Sequence, residues 1–298
     1  MKILKEYLFE LIIIAPATLF LLGFFILILF YLIGVSFFPQ GDFTLSVYSA
    51  IFEDQEFKRI VLRTIIFVFI GTPLELILSI IFAILLFNKG ILSSIARSLY
   101  IVPFAIPTIV TAIVLFVLFD YPGGHINVLL QGKYFIFPFK IISEPINWRS
   151  SEFLSLFVSM LGKLWRDLPI STFIILTGLS NIYKEEIDSA KVLGAGDFQI
   201  LKHIVIPELI PSIFTVLFLR SIEFWKEFIF PFILAPRYYL ISTVIENYYH
   251  NWNMVDKASA VSLILLGFIV ITIILIRFSM NLLRFFTFRL VKNYEIKN

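Results

Sequence analysis

The sequence predicts an all-α polytopic membrane protein with six transmembrane helices and both termini on the cytoplasmic side. Three observations carry that expectation. Apolar residues fill 59% of the 298 positions and charged residues only 15%, with a mean hydropathy of +0.96; a soluble domain is nearer half apolar and a quarter charged. Runs of roughly twenty or more residues with few charges recur, which is the length a helix needs to cross a hydrocarbon layer about 30 Å thick. Lys and Arg are distributed unevenly between the segments that join these runs.

In chain order, the first expected span is 11–38, which carries no charge. It is too long for the apolar core of a secretory signal, and Ala15-Pro16-Ala17 lies too early in it for a cleavage site, so it reads as a retained anchor. The second span, 60–87, is interrupted only by Arg63 and Glu75, and a short basic turn from Asn88 to Arg97 leads to a charge-free third span, 98–119. A polar loop from Asp120 to Glu152 follows, with Gly123-Gly124 and three prolines. The fourth span, 153–180, holds Lys163, Arg166 and Asp167. The fifth, 211–235, holds Arg220, Glu223, Lys226 and Glu227, and the sixth, 258–283, leads into a basic tail. No internal repeat or low-complexity stretch divides the chain, which reads as one transmembrane domain over 1–298.

Six spans put both termini on one side. The segments on that side carry twelve Lys and Arg, and those on the other carry seven: Lys58, Arg59, Lys133, Lys140, Arg149, Arg237 and Lys257. Positive charge favours the cytoplasmic side, so the termini are expected there, and with them the 182–210 loop between spans four and five. That loop is the longest patterned polar segment. Residues 183–192 suit a short helix, and Gly194 suits the positive-φ turn that ends it. Phe198 to Ile206 suits a second short helix, with Pro207 and Pro211 marking the step into the fifth span. Such a pair makes a compact knob that fits a groove on a soluble partner; the alternative is an amphipathic connector lying on the membrane surface.

The spacing Asp188-Ser189-Ala190, three residues, Gly194-Ala195, eight residues, Ile204, one residue, Ile206-Pro207 resembles the cytoplasmic EAA loop of permease subunits in binding-protein-dependent ABC importers. The resemblance extends over nearly the whole chain and is nearest the sugar-type permeases of the maltose and glycerol-phosphate class. Ala15-Pro16 and Gly34-Val-Ser-Phe37 are similar to the opening of that family's first span, and Phe52-Glu-Asp54 with Phe57 to the stretch before its second. Arg97 to Pro103, Pro107, Gly124, and Asn127 to Leu130 follow its third span and loop, and Trp165, Pro169, Gly178-Leu179 and Ile182 lead into the loop motif as they do there. The family's Glu-Ala-Ala is Asp188-Ser-Ala190 here, Leu193 stands before Gly194 where Asp is usual, and the Gly-rich stretch after span five is replaced by Ala235-Pro-Arg-Tyr-Tyr239.

The resemblance implies an ABC importer permease (type I) fold working beside a second permease subunit, two ABC ATPase subunits and an extracytoplasmic solute-binding protein. It implies that Asp188, Ser189, Ala190, Gly194, Ala195, Phe198 and Pro207 form the ATPase-coupling surface, with a sugar or sugar-like solute as cargo. A polyamine- or glycerol-phosphate-type importer is the alternative within the class, and an ion-coupled secondary carrier the alternative outside it. No Gly-x-x-x-x-Gly-Lys-Ser/Thr phosphate loop occurs in the chain, so ATP and Mg are expected on partner subunits and no cofactor on this one.

The intramembrane charges are the second informative set, because a charge at the bilayer centre costs about 2.5–3.5 kcal/mol on insertion scales. Arg220, Glu223, Lys226 and Glu227 follow helical steps of three and four and are expected on one face, opposite Lys163, Arg166 and Asp167 at similar depth. With Trp165 and Trp225 beside them, these residues are candidates to line a wet path for a neutral polar solute. The competing reading is that they pair among themselves to hold helices together. Other functions find no support. There is no Cys for disulfides, thiolate zinc sites or thiol chemistry, and His125, His203 and His250 sit in loops far apart, so neither a catalytic nor a metal site is expected. A net charge of +3 gives no reason to expect nucleic acid as a partner.

Overall fold

The computed structural model describes residues 2–87, 90–182 and 184–295, and the side chains of 12–87, 90–182 and 186–281. Of the basic residues on which the topology expectation rests, the side chains of Lys2, Lys5, Lys89, Lys184, Arg284, Arg289, Lys292 and Lys297 lie outside that description. The described residues are mostly helical, and their only β feature is an isolated bridge between Tyr134 and Phe137.

Two compact units are formed. The first comprises residues 1–58 and 244–266, the second 59–243 and 267–298. In the first unit, α1 (Lys2–Phe37) is uncharged over Ile12–Phe37, and its membrane-length window has no buried residue. Its last turn meets α2 (Ser46–Glu53), where Ser36 accepts from the Tyr48 hydroxyl at 3.0 Å and Phe37 packs on Tyr48.

The second unit is built on α3 (Gln55–Leu86), α8 (Glu152–Ser180) and α11 (Ile206–Trp225). Between α3 and α8 run α4 (Ile91–Tyr100), α5 (Val102–Ala105), α6 (Thr108–Leu118) and α7 (His125–Leu130). Between α8 and α11 come α9 (Lys184–Val192), α10 (Asp197–Ile200) and a π-helical segment, Leu201–Val205. After α11 the chain forms α12 (Ile229–Leu234), α13 (Ile241–Glu246), a second π segment (Asn247–Asn251) and α14 (Val255–Glu295). Burial on α8 follows steps of four: Ser155, Ser159, Lys163, Asp167, Ser171 and Ile175 form one inward stripe. Small residues let the helices close on one another. A Cβ at Gly178 would come within 2.3 Å of Ser212 Oγ on α11, and one at Gly162 within 2.6 Å of Leu115 Cδ1. One apolar cluster, with Ala83, Ile175, Leu179, Leu209 and Val216, joins α3, α8 and α11; a second, with Ala112, Val158, Trp148 and Phe230, joins α6, α8 and α12.

The loop between α6 and α8 is organised by one buried amide. Asn127 Nδ2 donates to the carbonyls of Asp120 and Ile146, while its Oδ1 accepts from the Ile146 amide and Trp148 Nε1. All of its main polar capacity is used, which removes the penalty of burying it.

Several span expectations are corrected. Among the described residues four helices are long and apolar enough to cross a membrane: Ile12–Phe37, Gln55–Leu86, Asp197–Trp225 and Val255–Asn281. The third expected span is a bent pair, Ile91–Ala105 and Thr108–Leu118, meeting at 91°. Pro107 removes an amide donor there and pushes Ile106 into an extended conformation (ψ 132). The fourth, α8, has the length but carries Lys163, Arg166 and Asp167 in every membrane-length stretch. The fifth breaks after Trp225 and resumes as α12, and the first and last helices run beyond the expected limits. Pro207 and Pro211 do not mark a step: helix runs through both from Asp197. The π segment just before Pro207 widens the backbone where the proline ring would otherwise meet the His203 carbonyl.

Packing at Gly71 gives a test of this arrangement. A Cβ there would lie 2.2 Å from the ring of Phe224, which is fully buried. Gly71→Val should cost about 1–3 kcal/mol, seen as a lowered thermal midpoint in detergent. Adding Phe224→Leu should recover part of that loss; no recovery would mean that the two helices do not meet there.

Candidate functional site

α3, α8 and α11 bring together a cluster of charged side chains in their shared interior. On α8, Lys163 and Asp167 are one turn apart, and Lys163 Nζ donates to Asp167 Oδ2 at 2.8 Å. The same ammonium reaches Glu227 Oε2 at 3.1 Å and lies 4.9 Å from the ring centroid of Phe224. Arg166 donates from Nη1 to the other Asp167 oxygen at 2.6 Å. Across the interface, Arg220 of α11 meets Glu75 of α3, Nε to Oε1, at 2.9 Å. Ser171 of α8 sits between them: its hydroxyl donates to Glu75 Oε1 at 2.5 Å and accepts from Arg220 Nε at 2.6 Å. Arg220 also pairs with Glu223 one turn on and lies 3.9 Å from Asp167 Oδ2.

Glu75, Lys163, Asp167 and Arg220 are each no more than 3% exposed. Charges so placed are tolerable only because each faces an opposite charge at hydrogen-bond distance. Burial decreases toward one edge of the cluster. The Arg166 side chain is 23% exposed and that of Glu223 37%, so these two are the members that meet the surroundings. Glu227 is held from behind, with Oε1 accepting the Phe230 amide at 3.2 Å, close to the start of α12.

The expected charged residues are therefore only partly gathered. Lys163, Arg166, Asp167, Arg220, Glu223 and Glu227 lie in one network. The four charges of the fifth span do not share a face, because α11 stops at Trp225; Lys226 is exposed while Glu227 turns inward. Trp165 is half exposed on the face of α8 away from Lys163. Trp225 is buried, stacked on Phe268 at 5.1 Å, with its Nε1 donating to Thr272 Oγ1, so its ring is occupied by packing. Glu75 was visible in the sequence only as an interruption of the second span, and Ser171 carried no signal beyond its place on the step-of-four stripe. Both are central to the network.

The 182–210 loop forms the second candidate surface. α9 ends in a Schellman motif: the Gly194 amide donates to the Lys191 carbonyl and the Ala195 amide to that of Ala190, both at 3.0 Å. Gly194 takes φ +84, the left-handed region anticipated for it. Gly196 then opens α10, with its amide bonded to Gln199 Oε1 at 3.0 Å. Asp188 and Ser189 are exposed on α9, Ala190 and Ala195 half-buried, and Pro207 half-buried at the start of α11. Three apolar side chains crown this turn: Val192 and Leu193 are 87% exposed and Phe198 74%. The structure thus has a charged and small-residue face on α9 beside an apolar tip.

The sequence pattern of the family described as "Binding-protein-dependent transport system inner membrane component" matches residues 75–291, well over half of the chain. The chain is 28% identical over 203 residues to a trehalose/maltose transport system permease protein of Thermococcus litoralis. It is 26% identical over 188 residues to a sulfoquinovosyl glycerol transport system permease protein of Agrobacterium fabrum. These matches span 67% and 63% of this chain, and 66% and 58% of those relatives, under two thirds of their length in both. Among solved structures, a bacterial ABC transporter involved in the import of the acidic polysaccharide alginate aligns with a TM-score of 0.78 at 15% identity, covering 94% of this chain and 99% of that one. That likeness is one of fold.

The network makes a prediction about stability. Arg220→Met should strand Glu75 and cost about 3–5 kcal/mol, read as lost folded yield and a lower thermal midpoint in detergent. Glu75→Gln combined with Arg220→Met should be less damaging than the sum of the two single changes. Simple additivity would show that the pair is not coupled.

Proposed function

Because the chain belongs to the family of binding-protein-dependent transport system inner membrane components, we propose that it is a permease subunit of an ATP-driven importer. It forms half of a translocation path with a second permease subunit and crosses the membrane six times, counting the segment through α6 as one crossing and α8 as another. Its transmembrane domain is the whole of 1–298 and both termini are cytoplasmic. The ATPases are separate chains that hold ATP and Mg, and a solute-binding protein delivers cargo from outside. The cargo is a sugar or sugar-like solute; the reading is supported by the trehalose/maltose and sulfoquinovosyl glycerol permeases among the relatives.

The observation that carries this reading is the knob formed by α9, the Gly194 turn and α10. A left-handed glycine turn joins the short helix α9 to the start of the long helix Asp197–Trp225, and Val192, Leu193 and Phe198 are left largely uncovered at its tip. Exposed apolar residues of this size on a rigid turn suit insertion into a groove of a soluble protein. Asp188, Ser189 and Ala190 supply a carboxylate for a basic residue and small side chains for close approach. Gly194 and Ala195 shape the turn, and Pro207 begins the helix that leads from the knob to Arg220.

Transport is then a shift between two arrangements of the helices. Closure of the paired ATPases moves the knob, and the knob is tied directly to α8 on one side and α11 on the other. Within the charged network, Glu75, Lys163, Asp167 and Arg220 act as a rivet between helices, while Arg166 and Glu223 at its open edge face the solute path. Glu227 and Trp225 support that edge from within.

Asp188→Arg and Phe198→Glu should each abolish solute-stimulated ATP hydrolysis by the assembled importer, with membrane insertion and folded yield unchanged. Gly194→Val should do the same by straining the turn. Normal coupling in all three would overturn the docking assignment. With no native Cys as background, Cys placed at 166 or 223 should react with an impermeant thiol reagent at a rate that changes when ATP is trapped on the complex, whereas Cys at 75 should stay unreactive. Uniform silence at 166 and 223 would leave the whole network structural.

A further inference from the structure

α4 (Ile91–Tyr100) is unlike the helices that cross the membrane. Ile91, Leu92, Ile95 and Leu99 fall on one side of it, Ser93 and Arg97 on the other, and Ser94 and Ser98 along the flank between them. None of its ten residues is buried, and Ile91 and Leu92 are 85% and 82% exposed. Its polar side, by contrast, is engaged. Ser93 Oγ donates to the Leu86 carbonyl at 3.1 Å, and Arg97 donates to the same oxygen from Nε at 2.9 Å and Nη2 at 2.6 Å. Leu86 is the last residue of α3, where helix carbonyls lack intrahelical partners. At the far end of α4, the Tyr100 hydroxyl bonds Thr172 Oγ1 of α8 at 3.0 Å and the Tyr100 ring packs on Phe82 of α3.

The direction of α4 follows from the bend. The leg Ile91–Ala105 meets Thr108–Leu118 at 91°. α6, the second leg, is uncharged and apolar on every side, which suits immersion in hydrocarbon. If α6 runs through the membrane, α4 runs along it. Its two-faced composition is that of a helix lying at an interface.

We propose that α4 is an interfacial float: it lies in the headgroup layer beside the end of α3, with Ile91, Leu92, Ile95 and Leu99 sunk into the acyl chains. Lipid covers that face because the bonds to Leu86 hold α4 beside the end of a crossing helix, α3, whose own last turns leave Ile81, Ile84 and Leu85 exposed. The float fixes the depth of α3 through the Leu86 carbonyl. Glu75 lies eleven residues further along α3, about 16 Å at 1.5 Å per residue, so the float also sets where the charged network sits in the bilayer. This inference needs only membrane embedding and stands apart from ATPase coupling.

The full-length chain in phosphatidylcholine–phosphatidylglycerol vesicles provides the test, with nitroxide labels on single Cys residues at 92, 95 or 99 and at 94 or 98. Labels at 92, 95 and 99 should favour collision with oxygen over a water-soluble nickel chelate by several-fold and report nearly the same shallow depth. Labels at 94 and 98, on the polar flank of the helix, should show a weaker preference for oxygen than those at 92, 95 and 99. Depth increasing steadily from 92 to 99 would make α4 part of a crossing helix and overturn the proposal. Labels at 92 and 95 shielded from both reagents would mean that protein, such as a second copy of the chain, covers the face, and nickel preference at both would put it in water; either result also overturns it. Arg97→Gln, which keeps the apolar face but loses the charged bonds to Leu86, should shift the depth of a label at 85 without changing the oxygen preference at 92. An unchanged depth at 85 would show that the float does not hold α3.

Discussion

Glu75 and Arg220 meet at 2.9 Å in a place that neither water nor lipid reaches, with the Ser171 hydroxyl bonded to both. An ion separated from its partner there would face a desolvation penalty of several kcal/mol, so α3, α8 and α11 cannot slide or rotate past one another one at a time. Asp167 extends the constraint by sharing Lys163, Arg166 and, at longer range, Arg220. The small residues are what allow so short a set of contacts. Gly71 leaves room for Phe224 and Gly178 for Ser212, and without them the helix backbones would stand too far apart for the charges to meet.

The same constraint connects the interior to the cytoplasm-facing knob expected from the sequence. α8 carries Lys163, Asp167 and Ser171 and ends at Ser180, shortly before α9 begins. On the other side helix is continuous from Asp197 to Trp225, passing through the π segment and Pro207 before it reaches Arg220. From Phe198 to Arg220 that rod is about 33 Å long at 1.5 Å per residue. The knob is thus joined to the network by one rod, and the π segment with Pro207 and Pro211 beyond it is where the regular hydrogen-bond ladder of that rod is already altered.

Membership of the family removes the reading of the buried carboxylates as the ion carriers of a secondary transporter. The geometry gives them another use. Acidic side chains in hydrocarbon are costly whatever their role, and here most of that cost is offset by close partners on neighbouring helices. The partly exposed pair, Arg166 and Glu223, lies where the cluster opens, so the groups available to a polar solute are few and of mixed sign.

The sequence by itself determined what depends on short stretches of chain. Helical class followed from long apolar runs, the knob from Asp188 to Pro207 from its spacing, and the left-handed turn at Gly194 from the conformational freedom of a residue without Cβ. The clustering of Lys163, Arg166 and Asp167 on α8 could be read because helical periodicity is local. Only the tertiary structure decided which charges meet. Arg220 finds Glu75 across 145 positions of sequence and Lys163 finds Glu227 across 64, and no spacing rule reaches that far. It also decided where helices stop: α11 ends at Trp225 and so exposes Lys226, the third span bends by 91° at Pro107, and Trp225 is claimed by Phe268 and Thr272 rather than left for a solute. Those outcomes turn on competition between packing partners distant in the chain, which residue type and local periodicity do not encode.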